Sequence, residues 1–169
     1  TIATEYIPLR VWNDPGEVIP NHDFETGDLT GWIVVEGDAF SDGDVTNAVD
    51  WGWGGPFEQH GQYHLWGFRE GGDGQTGILR SQTFVLKSKG EINLLIGGGS
   101  DINNLYVALL SAEDNKVIFK ETGLNDEAYR RIYWEIPDEY VGEPLYIEIV
   151  DKATGGWGHI NIDDVNVVF

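Results

Sequence analysis

The run His159-Ile160-Asn161-Ile162-Asp163-Asp164-Val165-Asn166-Val167-Val168-Phe169 decides the fold. Its apolar residues recur at every second position, the period of a strand with one buried face. Ile160 and Ile162 share a face, and so do Val165, Val167 and Phe169, yet the step from 162 to 165 is odd. The phase slips at Asp163-Asp164, where a β-bulge would restore the register and re-aim one carboxylate. Acidic chemistry recurs near the other end, in Asn21-His22-Asp23-Phe24-Glu25, a short extended segment in which Phe24 is expected to face the core and Asp23 and Glu25 the other side. Carboxylates of this kind are hard oxygen ligands suited to calcium. The two motifs therefore read as halves of one clip, with Asp164, and less so Asp163, as the ligand from the closing strand.

Working outward, extended segments come at close spacing: 31–36, 63–68, 77–86, 91–97, 105–111, 116–122, 130–137, 145–150 and 159–169. They are rich in β-branched and aromatic residues. Gly-, Asp- and Asn-rich punctuation separates them, as in Gly71-Gly72-Asp73-Gly74 and Gly97-Gly98-Gly99. With 23 glycines among 169 residues and no 3.6-residue periodicity, the class is all-β, a β-sandwich. Residues 1–17 end in the turn-like Asn13-Asp14-Pro15-Gly16 and read as a linker or an added edge strand; residues 18–169 read as one module.

The 29 acidic against 10 basic residues give a net charge of −19, which repels phosphate backbones and anionic bilayers. Nucleic-acid and membrane partners are thus not expected. Cysteine is absent, which removes disulfides, thiolate catalysis and Cys-based zinc sites. That suits a protein secreted outside a bacterial cell. Methionine is absent too, including at position 1, so the sequence is expected to be part of something longer whose targeting signal is out of view.

Two strands carry charges on their apolar faces. Arg130 precedes Ile132, Trp134 and Ile136 on one face, and Asp151 follows Leu145, Ile147 and Ile149 on another. They fit either a rim ion pair or a polar pocket at the sandwich edge.

The string Asn21-His22-Asp23-Phe24-Glu25-Thr26-Gly27-Asp28-Leu29-Thr30-Gly31-Trp32 resembles the opening of bacterial carbohydrate-binding modules with the galactose-binding-like jelly-roll fold. The closing Gly156-Trp157-Gly158-His159-Ile160-Asn161-Ile162-Asp163-Asp164-Val165, with Gly97-Gly98-Gly99 and Arg130-Arg131-Ile132-Tyr133-Trp134, is similar to carbohydrate-binding module family 66, the fructan-binding module of bacterial levanases. The resemblance implies a non-catalytic, monomeric module that recognises the terminal fructose of levan and holds a covalently linked glycoside hydrolase near its polymer. It also implies a structural calcium, falling here on Asp23, Glu25 and Asp164.

A sugar offers hydroxyls and weakly polar C–H faces, so its site needs forked polar groups and an aromatic platform. Trp157 and Trp66, beside glycines at segment ends, are the expected platforms, with Trp51 and Trp53 as further candidates. The expected polar contacts are Arg130, Asp151, His159, Glu70, Asp101 and Asn104. Enzyme signatures are missing: no Gly-x-Ser-x-Gly, no His-Glu-x-x-His and no phosphate loop. A small jelly-roll lyase or hydrolase and a cell-surface adhesion or spacer domain remain the alternatives to a binding module.

Overall fold

The computed structural model describes residues 18–169; the linker or edge strand expected over residues 1–17 lies outside them. Eleven strands follow in chain order: β1 (Ile33–Gly37), β2 (Val45–Thr46), β3 (His64–Trp66), β4 (Gly77–Arg80), β5 (Phe84–Val85), β6 (Glu91–Gly98), β7 (Leu105–Ser111), β8 (Val117–Glu121), β9 (Asp126–Glu135), β10 (Pro144–Asp151) and β11 (Ile160–Val168). All pair antiparallel, in two sheets. The first has the order β1-β4-β10-β7-β8, with β5 also on β10, and the second the order β2-β3-β11-β6-β9. This is the β-sandwich expected from the alternation. Its core lies between the inner faces, where Leu79, Val107, Leu109, Leu145, Ile147 and Ile149 meet Leu65, Ile92, Leu94, Ile96, Ile160 and Ile162. Each such side chain contributes roughly 1.5–3 kcal/mol by leaving water.

The bulge forms where the phase slips. Pairing of β11 with β6 shifts between Asp163 and Asn166, and Asp164 takes φ 49°, a left-handed conformation few non-glycine residues adopt. Ile160, Ile162, Val165 and Val167 consequently all reach the core. The opening motif differs from expectation: it is a tight turn, with Phe24 N–H donating to the Asn21 carbonyl and both residues at positive φ. Phe24 still points inward, stacked on Trp32 at 5.1 Å. The turn lies against β11, where Val165 N–H donates to the His22 carbonyl at 2.9 Å.

The outer face of the second sheet is unusually functional in composition. Alternation aims Glu127, Tyr129, Arg131 and Tyr133 of β9 outward, beside Leu95 and Asn93 of β6 and Asn161 and Asp163 of β11. The β2–β3 loop, residues 47–63, covers the middle of this face. Its Phe57 is fully buried against Trp66, Leu95 and Tyr129, and its carbonyl accepts the Tyr129 N–H at 2.8 Å. Beneath the loop His64 sits between the Tyr129 hydroxyl (2.7 Å) and the Ala48 carbonyl (2.9 Å). Burial lowers its pKa to about 4, so the ring is neutral.

Candidate functional site

At the end of this face where β11 begins, a cleft of about 480 Å³ opens between the β2–β3 loop and the loop before β11. Trp51, Trp53, Phe68 and Trp157 form its aromatic walls, and Asp73, Asp126 and Glu127 its acidic floor. Trp53 is 71% exposed and Trp157 37%, large apolar areas to leave in water without a partner. Trp157 adopts φ 62° and stacks on His159 at 5.6 Å. Gly98 and Gly99 make the arrangement possible. A Cβ on Gly99 would lie 2.0 Å from the Trp157 carbonyl, and one on Gly98 2.6 Å from the His159 carbonyl. The glycine run thus admits another backbone.

His159 is the hub of the floor. Its Nδ1 lies 2.7 Å from Asp73 Oδ1 and its Nε2 2.7 Å from Glu127 Oε1. Glu127 also accepts from Asn161 Nδ2 at 3.0 Å and Trp66 Nε1 at 3.4 Å. Burial alone would depress the His159 pKa, but the hydrogen bond and charge of Glu127, then those of Asp73, raise it. Burial likewise opposes ionisation of Glu127, yet its bond to His159 and the other donors hold its pKa below the usual range. The trio is a buried imidazolium between two carboxylates. It fixes polar groups rigidly beneath the tryptophans, a layout suited to hydroxyls of a ligand lying on the rings.

The expected residues divide into three groups. Trp157 and His159 meet in the cleft, with Trp51 and Trp53. Trp66 is buried behind it, where it backs the walls by stacking on Phe68 at 5.8 Å and the floor by its bond to Glu127. The rest are elsewhere. Arg130 does not meet Asp151; its guanidinium bonds the Thr122 carbonyl at 2.7 Å and Glu121 at 3.3 Å, a rim ion pair. Asp151 is buried outside the cleft lining but near the trio, where the charges of His159 and Asp73 act on it. Oδ1 accepts the Ala153 N–H, and Oδ2 has no partner. Burial, opposed by that N–H, pushes its pKa up to about 7. Asp101 and Asn104 build the turn between β6 and β7 through an Asn104 Nδ2 bond to Asp101 Oδ2 at 2.9 Å. Glu70 pairs with Arg69 on the surface and packs on Gly43.

Sequence reading passed over Asp73, Asp126 and Glu127. Asp73 lay in an apparent glycine turn. β9 extends back to Asp126, beyond the expected start near Arg130, because Asp and Glu are weak strand formers.

The residues expected to hold calcium fall as follows. Glu25 clasps the β2–β3 loop, its carboxylate accepting the N–H groups of Tyr63 (2.8 Å) and Gln62 (3.0 Å). Asp163 clasps the same loop, accepting His60 N–H at 2.8 Å. Asp164 is taken by Arg131 at 2.6 Å, and Asp23 caps its own turn through the Glu25 N–H at 3.3 Å. The carboxylate nearest in role to Glu25 is therefore Asp163. Burial, then Asp164 and Glu25, push its pKa up to about 9 against the lowering effect of its N–H donors. Among the described residues no three acidic or histidine side chains converge as a metal cluster. Glu25 and Asp163, which clasp the same stretch of loop, are the hard oxygen donors of the kind calcium takes.

A scan against protein-family models finds no match. A putative glycosyl hydrolase, ecdE, of Aspergillus rugulosus is 39% identical over 94 residues, which is 56% of this chain and 13% of that protein. Among solved structures, the module TmCBM61 in complex with β-1,4-galactotriose superposes with a TM-score of 0.57 and 18% identity, over 89% of this chain and 96% of that one. The K1 cleaved adhesin domain of Lys-gingipain from Porphyromonas gingivalis W83 gives 0.53 and 18% over 86% and 94%. The Stig cyclase Fisc of Fischerella sp. TAU gives 0.54 and 14% over 88% and 94%. One binds sugar, one is called an adhesin and one a cyclase; what this chain shares with all three is the β-sandwich fold.

Proposed function

We propose that this chain is a non-catalytic carbohydrate-binding module whose sugar site is the Trp53–Trp157 cleft. The observation that carries this reading is the pair of exposed indoles over a floor of carboxylates locked by His159. Rings offer the stacking surface for a sugar's C–H face, and the carboxylates accept its hydroxyls. The galactotriose held by a fold neighbour and the hydrolase name of the partial relative support the same class, and the sequence resemblance favours fructans such as levan, with a hydrolase linked in the parent chain outside the cell. Neither Lys nor Arg lines the cleft, and its one histidine, His159, is held between Asp73 and Glu127, so a neutral polymer suits the acidic floor and acidic glycans are repelled.

Affinity electrophoresis against levan, inulin, β-1,4-galactan and a polyuronate tests this. Retardation by a neutral polymer, none by the polyuronate and no release of reducing ends are expected. Unaltered mobility in every gel would overturn the carbohydrate reading, retardation by galactan alone would remove the fructan part, and turnover would make the chain an enzyme.

Calcium is proposed on Glu25 and Asp163. Added calcium is expected to raise the melting temperature of the chelator-stripped protein, since binding stabilises the folded state by RT ln(1 + [L]/Kd), about 2.7 kcal/mol at a hundredfold excess over Kd. The Glu25→Gln variant should lose that response. A wild type indifferent to both chelator and calcium argues against the site.

A further inference from the structure

The outer face of the second sheet has two open ends, and the Trp53–Trp157 cleft lies at one of them. At the other, beyond the covering loop, lies a second cleft of about 350 Å³ whose lining includes His22, Asp23, His60, Asn93, Asp164 and Asn166. Register places Asn166, Asn93 and Tyr133 directly opposite one another across β11, β6 and β9. Their side chains therefore form one row on one face.

The polar groups of this row are already fixed. Arg131 Nη1 donates to Asn93 Oδ1 at 2.7 Å, and its Nη2 to Asp164 Oδ2 at 2.6 Å. Asn93 Oδ1 also accepts from Asn166 Nδ2 at 3.1 Å. Asn166 spends its amide hydrogens on Asn93 and the Asp164 carbonyl, which leaves its side-chain oxygen without a protein partner among the described residues. Arg131 pairs with Asp164, and Asp23 is occupied by the Glu25 N–H and faces His22 at 3.5 Å. The half-exposed His60 ring stands at the side, 3.7 Å from Asp164. Tyr133 is 65% exposed, an aromatic platform with no protein ring against it among the described residues. A forked guanidinium, two amides and an open aromatic ring are the groups that hydroxyls and C–H faces require.

We propose that the Asn93–Asn166–Arg131–Tyr133 end of this face is a second saccharide site, accepting a neutral, hydroxyl-rich sugar unit. The proposal rests on the carbohydrate reading of the first cleft but on none of its residues. From His159 to Asp164 is five residues of strand, so the two sites lie roughly 17 Å apart along β11 at about 3.3 Å per residue. Phe57 and the covering loop separate them. A polymer or two neighbouring chains can occupy both, and avidity then exceeds either affinity by about 10²–10⁴ when the geometry allows joint engagement.

The test is an NMR titration of wild type, Trp157→Ala, Tyr133→Ala and Asn166→Ala with levantriose, inulotriose and β-1,4-galactotriose, paired with polymer gels. Tyr133 is exposed, so its removal should leave the fold intact. For a trisaccharide that binds, wild type should shift signals around both Trp157 and Tyr133. Tyr133→Ala and Asn166→Ala should lose at least tenfold in affinity at the second group and keep the first. Polymer retardation should fall in each single variant and vanish when Trp157→Ala and Tyr133→Ala are combined. Shifts confined to the Trp157 end, with Tyr133→Ala indistinguishable from wild type, overturn the second site and leave the first. Shifts confined to the Tyr133 end support the second site and remove the first. No shift with any trisaccharide removes both.

Discussion

Replacing Trp157 by alanine should cost the cleft about thirtyfold or more in sugar affinity, with little change in melting temperature. The loss corresponds to roughly 2 kcal/mol, the threshold at which one aromatic side chain counts as a binding hot spot. Two facts favour so large a share for one residue. The ring is fixed in advance, stacked on a buried histidine, so little side-chain entropy remains to be lost on binding. Its backbone also sits at φ 62°, a conformation that costs of order 1 kcal/mol or more and persists only where surrounding structure enforces it. Alanine removes the stacking on His159 but no contact of the hydrophobic core clusters, to which Trp157 does not belong. Calorimetric titration with the best-retarded oligosaccharide checks the affinity and a thermal scan the fold. A variant that binds within twofold of wild type would move the platform to Trp53.

The second large effect is on stability. Glu127→Ala should destabilise the protein by about 3–5 kcal/mol, because it leaves a buried imidazolium and the amide of Asn161 without their main acceptor. For a domain of this size that is a fall in melting temperature of roughly 6–20 °C. Glu127→Gln should lose less, since its carbonyl can still accept from His159. The pH dependence supplies a second readout. Glu127 has its pKa lowered, so its contribution is present above the ordinary carboxylate value of 4.5 and is lost as pH falls through the folded value. His159 has its pKa raised, so its contribution is present below 6.5 and is lost as pH rises through the folded value. The pair's stabilisation is thus fullest between about 4.5 and 6.5, and that feature should be missing from the melting profile of Glu127→Ala. A variant as stable as wild type across this range would show that His159 is held by Asp73 alone.

Much of the sandwich was legible because alternation is a local signal. β7 was placed to the residue at 105–111, and the odd step from Ile162 to Val165 announced a bulge that forms. The opening turn was harder to read, since what holds it is a β11 N–H on the His22 carbonyl and the Trp32 indole on the Asn21 carbonyl, contacts that alternation does not show. The cleft was half legible. Trp157 and His159 stood out through their flanking glycines, whereas Asp73 and Glu127 join His159 only through folding, from 86 and 32 residues away. Arg130 and Asp151 were correctly seen as charges on apolar faces. Strand parity gives the side of a sheet but not its neighbours, so it could not show that Glu121 waited for one and a closed interior for the other.

The β2–β3 loop supplies Trp51 and Trp53 to one cleft and His60 to the other, and Glu25 and Asp163 pin it at a single stretch, residues 60–63. Recognition is therefore modular within the module. Exchanging residues 47–56, upstream of the buried Phe57 and of that anchor, would rewrite the first cleft's walls without touching a strand, while the sandwich kept its own stability. A library confined to residues 47–56 should yield altered glycan preferences on an unchanged scaffold, a form of adaptability that the rigid trio around His159 could not offer.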